Sequence, residues 1–211
     1  MNGLFSLDSP LAKFLSRLAD LVMLNVVFVL TCLPVVTVGA AWTALYTVCY
    51  PMAQDREGKL FSTYFRAFRE NFVQATLLWL LALPLLLGNL ACVVLLRQQP
   101  GSVRYLAVVF GVLLTLCVVT FDMSFPLLSQ FQNDNLTTLK NGMLLGLGYL
   151  PRSLVMAALN LFPFGMLLLR PDAFLGIGLL WLCLWFSAAA YLNSMLLKKV
   201  FQPYFPEENE I

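Results

Sequence analysis

Apolar residues run along this chain in long blocks separated by short polar stretches, on the length scale of membrane spans. Leu21 to Tyr50 is apolar for 30 residues. Further blocks cover Phe72–Leu96, Tyr105–Phe131, Leu150–Leu169 and Ala173–Leu197, each near the roughly 20 residues a crossing needs. The pattern predicts an all-α, polytopic helical membrane protein, a single integral membrane domain over residues 1–211. It has five spans, or six if the first block is a broken hairpin. The predicted parts are an interfacial helix at 4–20, a first segment at 21–50 broken near 34–39, helical spans at 61–97, 105–131, 150–169 and 173–197, and a tail at 200–211.

The first block carries its own interruption. Pro34 and Gly39 bracket Val35-Val36-Thr37-Val38, and a β-branched run between Pro and Gly favours extended backbone. One tilted helix and two helical pieces both fit the length, with the lean toward two. A broken link at Pro34, Thr37 and Gly39 needs protein partners or water for its freed backbone groups, because lipid offers none.

Between the first two blocks lies the most polar connection. Read as a helix, it sets Phe61, Phe65, Phe68 and Phe72 in one stripe by spacings of 4, 3 and 4. Arg66 and Arg69 fall outside the stripe, and Arg56 and Lys59 precede it. Such a helix suits the headgroup layer, with rings toward the acyl chains and guanidinium groups toward phosphate, or the surface of a partner. Leu11, Phe14, Leu15 and Leu18 make a second interfacial face, started by Asp8 or Ser9 before Pro10. Leu136 to Gly148 reads as another short, partly amphipathic helix, with Gly142 and Gly146 spaced for close helix contact. Gly176 and Gly178 offer the same in the last block.

A weak internal repeat runs through these parts. Tyr50-Pro51 and Phe125-Pro126 each end a long block and precede a polar link, a short helix and another span. Thr63 and Arg66 correspond loosely to Thr137 and Lys140, and Phe201-Gln202-Pro203 resembles the start of a third copy. Two-repeat construction is common in transporters.

Composition narrows the function classes. The chain is 60% hydrophobic and 11% charged, with a mean hydropathy of +0.82, and about 25% charged is usual for soluble domains. The net charge of +2 does not point to nucleic acid, since the basic residues flank apolar blocks. The N-terminus lacks the order of a cleavable signal peptide and is expected to be retained. Cys32, Cys49, Cys92, Cys117 and Cys183 all lie in apolar blocks, and there is no histidine. That predicts no metal centre, cofactor or disulfide framework. Neither a carboxylate pair within one span nor a glycine-rich phosphate loop occurs, so a non-enzyme is expected.

Asp122 is the one carboxylate well inside an apolar block, and an intramembrane carboxylate points by default to function. It also lies about three helical turns before Asn133-Asp134-Asn135, so its side chain could reach a polar interface. Asn89, Asn160 and Asn193 place one amide in each of three other spans. They either line a shared polar path or hydrogen-bond between helices. Asp20 and Asn25 are expected at the interface, and Trp42, Trp79, Trp181 and Trp185 as interfacial or packing aromatics.

Three stretches resemble the YesL-like family of bacterial inner-membrane proteins: LPVVTVGAAWTALY (Leu33–Tyr46), FRAFRENFVQATLLW (Phe65–Trp79) and FSLDSPL (Phe5–Leu11). The resemblance extends over nearly the whole chain, and its most specific part is PVVTVG. It implies a small multi-span protein often encoded beside carbohydrate transport and degradation genes, and it carries no catalytic residues. Two readings follow. The first is an accessory or regulator of carbohydrate uptake, partnered by the bilayer and by solute-transport components. The second is a small-solute permease with a pathway near Pro34–Gly39 and Asp122.

Charge sets the expected orientation. With the Tyr50–Thr76 connection in the cytoplasm, Arg56, Lys59, Arg66, Arg69, Lys140, Arg152, Lys198 and Lys199 lie inside, and Arg97, Arg104 and Arg170 outside. A first block that turns back adds Lys13 and Arg17 inside, giving ten against three; a single crossing gives eight against five. Both put the C-terminus in the cytoplasm.

Overall fold

The computed structural model describes residues 10–56 and 58–204. The N-cap at Asp8 or Ser9, the start of the 4–20 helix and the acidic end of the tail lie outside these residues. The described residues form helices joined by short connections, with no strand among them.

The first apolar block is two helices, α1 (Pro10–Cys32) and α2 (Val38–Met52), joined by a single 3-10 turn at Val35–Thr37. Pro34 is extended, with φ −76° and ψ 113°, and cannot continue α1. The backbone groups freed by the break find protein partners, as a lipid-embedded break requires. The Thr37 hydroxyl donates to the carbonyls of Thr31 and Pro34, the Thr37 amide donates to Pro34 at 2.9 Å, and the Trp79 indole donates to Val35 at 2.8 Å. The two arms run antiparallel. Phe28 meets Trp42 ring to ring at 5.2 Å, and further from the turn Arg17 pairs with Asp55 at 2.7 Å. Both open ends of the hairpin therefore lie on one face of the molecule.

Beyond Asp55 come α3 (Leu60–Glu70) and α4 (Phe72–Arg97), separated only by Asn71. A tight connection, including a 3-10 turn at Gly101–Tyr105, leads into α5 (Leu106–Gln130). Then α6 (Asn135–Gly148) and α7 (Leu150–Leu169) follow, separated only by Tyr149. Each half is thus a span with proline near its end (Pro51, Pro126), a short helix, a one-residue break and a long helix. That order matches the repeat read from the sequence.

Among the described residues, five helices are long and apolar enough to cross a membrane: Leu11–Cys32, Val35–Met52, Phe72–Arg97, Gly101–Gln130 and Leu150–Leu169. Two of them come from the first block. The span expected at 173–197 is not among them. It is divided into α8 (Pro171–Gly176), α9 (Gly178–Leu180), a π-type turn (Trp181–Trp185) and α10 (Phe186–Phe201). Ile177, between two glycines, leaves helical geometry at φ −113° and ψ 22°. Gly176 and Gly178 have open space around them rather than a close neighbour, so they serve this break and no helix contact.

The π-type turn explains Asn25. A widened turn displaces the regular ladder, and Asn25 bridges the displaced groups. Its amide donates to the Trp181 carbonyl at 3.2 Å and its carbonyl accepts from the Ser187 N–H at 2.8 Å. Asn25 is fully buried, not interfacial, because this partner lies far away in sequence and only the fold brings it near.

One core gathers α1, α2 and α10 around Leu24, Leu45, Tyr46 and Leu197; another forms where α2, α4 and α5 meet at Ala40, Ala75, Leu78 and Phe121. Much of the outer surface is also apolar, including Leu81, Leu95, Val108 and Leu168, as a surface facing acyl chains requires. Close approach depends on glycine. A Cβ on Gly39 would lie 2.4 Å from the Ala75 carbonyl oxygen, and one on Gly142 would lie 2.4 Å from the Ser124 hydroxyl. Gly142 and Gly146 thus seat α6 on α5, as their spacing predicts.

Candidate functional site

Four helices bring one polar group each to a common point. Asp122 on α5 accepts a short hydrogen bond from the Asn160 amide on α7. Asn160 in turn accepts from the Asn193 amide on α10 at 3.0 Å, and the same amide donates to the Tyr46 hydroxyl on α2 at 3.1 Å. Tyr46 and Asn193 are fully buried and Asn160 nearly so. The Asp122 side chain turns toward Asn160, whose amide donates to Oδ1, and does not extend toward the ends of α5.

The network is incomplete as a set of hydrogen bonds. Asp122 Oδ2 and Asn193 Oδ1 are buried without a hydrogen-bond partner among the described residues. Such acceptors are costly where no water competes, so they make this the most polar and most sensitive point of the core.

Of the residues expected to converge, Asp122, Asn160 and Asn193 do. Asn89 does not: it is half-buried on α4 and donates to the Leu85 carbonyl of its own helix at 2.7 Å. Tyr46 is the member that sequence reading missed, since a tyrosine in an apolar block carries no mark of its partner. The Pro34–Gly39 link is held apart from the network. No hydrogen bond joins the two among the described residues. Gly39 is pressed against Ala75 and Trp79, and Ala40 and Phe121 belong to one apolar cluster.

The α3 helix is anchored on the bundle by one face. Its inner face is Tyr64 and Ala67, both buried, and the Tyr64 hydroxyl bonds the Thr31 hydroxyl in the last turn of α1 at 2.7 Å. Phe68 packs against the core. Phe61, Phe65 and Phe72 remain 43%, 47% and 37% exposed, and Arg66 and Arg69 are exposed as well. The stripe therefore points outward from a helix anchored on the hairpin.

At the open end of that hairpin, the Arg17 guanidinium holds the Asp55 carboxyl below its ordinary range. A depressed carboxyl stabilises the fold above its unfolded value and loses that effect as pH falls through its folded value. The expected result is a hairpin that loosens at strongly acidic pH in the wild type. Thermal unfolding of Arg17→Gln, followed from pH 7 to pH 2, should lack that small component.

Residues 21–96, from within α1 to the end of α4, match a family described as a protein of unknown function, DUF624. This is the family that the YesL-like resemblance names. The matched stretch is a little over a third of the chain and holds the hairpin, α3, Asn25 and Tyr46, but not Asp122, Asn160 or Asn193. No curated protein and no solved structure matches the chain. The chain is thus similar, over its first helices, to a family without an assigned activity.

Proposed function

We propose that this chain is a non-enzymatic, multi-pass protein of the bacterial cytoplasmic membrane that assists or regulates carbohydrate uptake. On this reading it docks onto solute-transport components through α3, with its C-terminus in the cytoplasm. The outward face of α3 supports this most directly: three exposed rings beside two exposed arginines, on a helix fixed to the bundle by Tyr64. Exposed aromatic and arginine residues on a rigid element are the usual anchors of an interface. The link to carbohydrate comes from the family resemblance. The antiparallel hairpin favours the ten-against-three distribution of basic residues, and with it a cytoplasmic position for α3.

The test is affinity purification from native membranes in mild detergent, for the wild type and for Arg66→Glu with Arg69→Glu. The expected result is near-equal recovery of transport components with the wild type and at least a tenfold loss with the double reversal. Unchanged recovery would sink the docking reading.

A permease reading draws on one observation, the unpartnered Asp122 Oδ2 and Asn193 Oδ1, which could meet a polar solute. Against it, the Pro34–Gly39 link is sealed by α4. Solute uptake into liposomes containing the purified protein, abolished by Asp122→Asn, would favour this reading over docking.

A further inference from the structure

Three arginines sit at the end of the molecule away from the basic connections: Arg97, Arg104 and Arg170. Positive charge is disfavoured on that face, so each needs a local reason. Arg170 has one, a contact with Asp172 at 3.1 Å that also holds the Asp172 carboxyl below its ordinary range. Among the described residues, neither Arg97 nor Arg104 has an ion pair. They come from opposite ends of the α4–α5 turn, yet they line one open cleft of about 510 Å³.

The walls of the cleft indicate what it would take. Val93, Ala107 and Val108 line it beside the two arginines and Tyr105. Tyr105 lies under the Arg104 guanidinium, 5.3 Å from it to the ring centroid, which holds that side chain over the cleft. Two guanidinium groups at one mouth suit the oxygens of a phosphate, which arginine can grip in bidentate fashion. Apolar walls leading into the bilayer suit an acyl chain attached to it. A soluble anion would have no use for the valines.

We propose that the α4–α5 tip is a binding site for an anionic phospholipid, with its phosphodiester held between Arg97 and Arg104 and its chain along Val93 and Val108. The site is separate from α3 and does not depend on the docking reading.

The probe is a photoreactive phosphatidylglycerol analogue in phosphatidylcholine vesicles carrying the reconstituted full chain, with crosslinks mapped by mass spectrometry. The wild type should be labelled between residues 93 and 108. Unlabelled phosphatidylglycerol should suppress that labelling, and extra phosphatidylcholine should not. Arg97→Gln with Arg104→Gln should reduce it about thirtyfold, from roughly fivefold per surface charge, while Arg170→Gln leaves it unchanged. Equal labelling of the double variant, or equal suppression by phosphatidylcholine, would overturn the proposal. Displacement by inorganic phosphate as effective as that by phosphatidylglycerol would also overturn it, by pointing to a soluble anion.

Discussion

Replacing Gly39 with leucine should lower the thermal unfolding midpoint in detergent more than any other single change at a helix contact. The Cβ alone would lie 2.4 Å from the Ala75 carbonyl oxygen and 2.7 Å from the Trp79 Cβ. The first of these is backbone and cannot swing aside, so α2 and α4 must separate. Overpacking costs about 1–3 kcal/mol when side chains can adjust, and here the adjustment has to come from whole helices. Separation also pulls the Trp79 indole from the Val35 carbonyl, leaving a break in the chain unsatisfied within the membrane. The expected loss is about 4 kcal/mol, or roughly 8–16 °C for a chain of this size. Gly88→Ala and Gly111→Ala, where nothing lies within 4 Å, should stay within about 1 °C. Equal effects at all three positions would mean that α2 and α4 are not in contact.

The second large effect is expected at Asn160. It alone joins Asp122 to Asn193, so Asn160→Leu strips the carboxylate of its side-chain donor and leaves one Asn193 proton unused. Removing one partner of a buried hydrogen-bonded pair costs more than the bond itself contributes, about 2 kcal/mol. Asp122→Asn should cost much less, because its carbonyl can still accept from Asn160. Ordinary hydrogen bonds between membrane helices contribute only about 0.6 kcal/mol on average. The ranking of the two variants by unfolding midpoint therefore distinguishes a buried acid from an Asp122 that escapes to the interface. A milder Asn160→Leu than Asp122→Asn would support the escape.

What the sequence could tell depended on whether the signal was local. Block lengths specified α4, α5 and α7 within a residue or two, since a 20-residue apolar run has few alternatives to helix in lipid, whereas α1 begins at Pro10, well before the apolar block. Pro34 marked the reversal because it acts on its own backbone, whereas Gly39 lies inside α2 and serves the contact with α4. Gly142 and Gly146 marked a close contact because their spacing is a property of one helix.

Partners across the fold were less legible. Asn25 and Asn89 are both lone amides in apolar surroundings, yet one bridges a distorted turn at Trp181 and the other bonds only its own helix. Nothing near either residue distinguishes them. The break at Ile177 was hidden inside an apolar run whose composition suits a continuous span. In α3 the aromatic spacing gave three outward rings, Phe61, Phe65 and Phe72, but not the inner face, where Tyr64 is buried and Phe68 packs against the core. In lipid, hydrophobicity no longer tells inside from outside, so small and hydrogen-bonding residues form the inner face instead.

The sidedness set by the α1–α2 hairpin underlies the placement of α3, the counting of charges and the isolation of the α4–α5 tip. Single cysteines in a cysteine-free background, probed in intact cells with a membrane-impermeant thiol reagent, test it directly. Gln99→Cys should label from outside. Ser16→Cys, Gln54→Cys and Gln132→Cys should label only after permeabilisation. Labelling of Ser16→Cys together with Gln99→Cys would mean that the first block crosses once, which contradicts the hairpin.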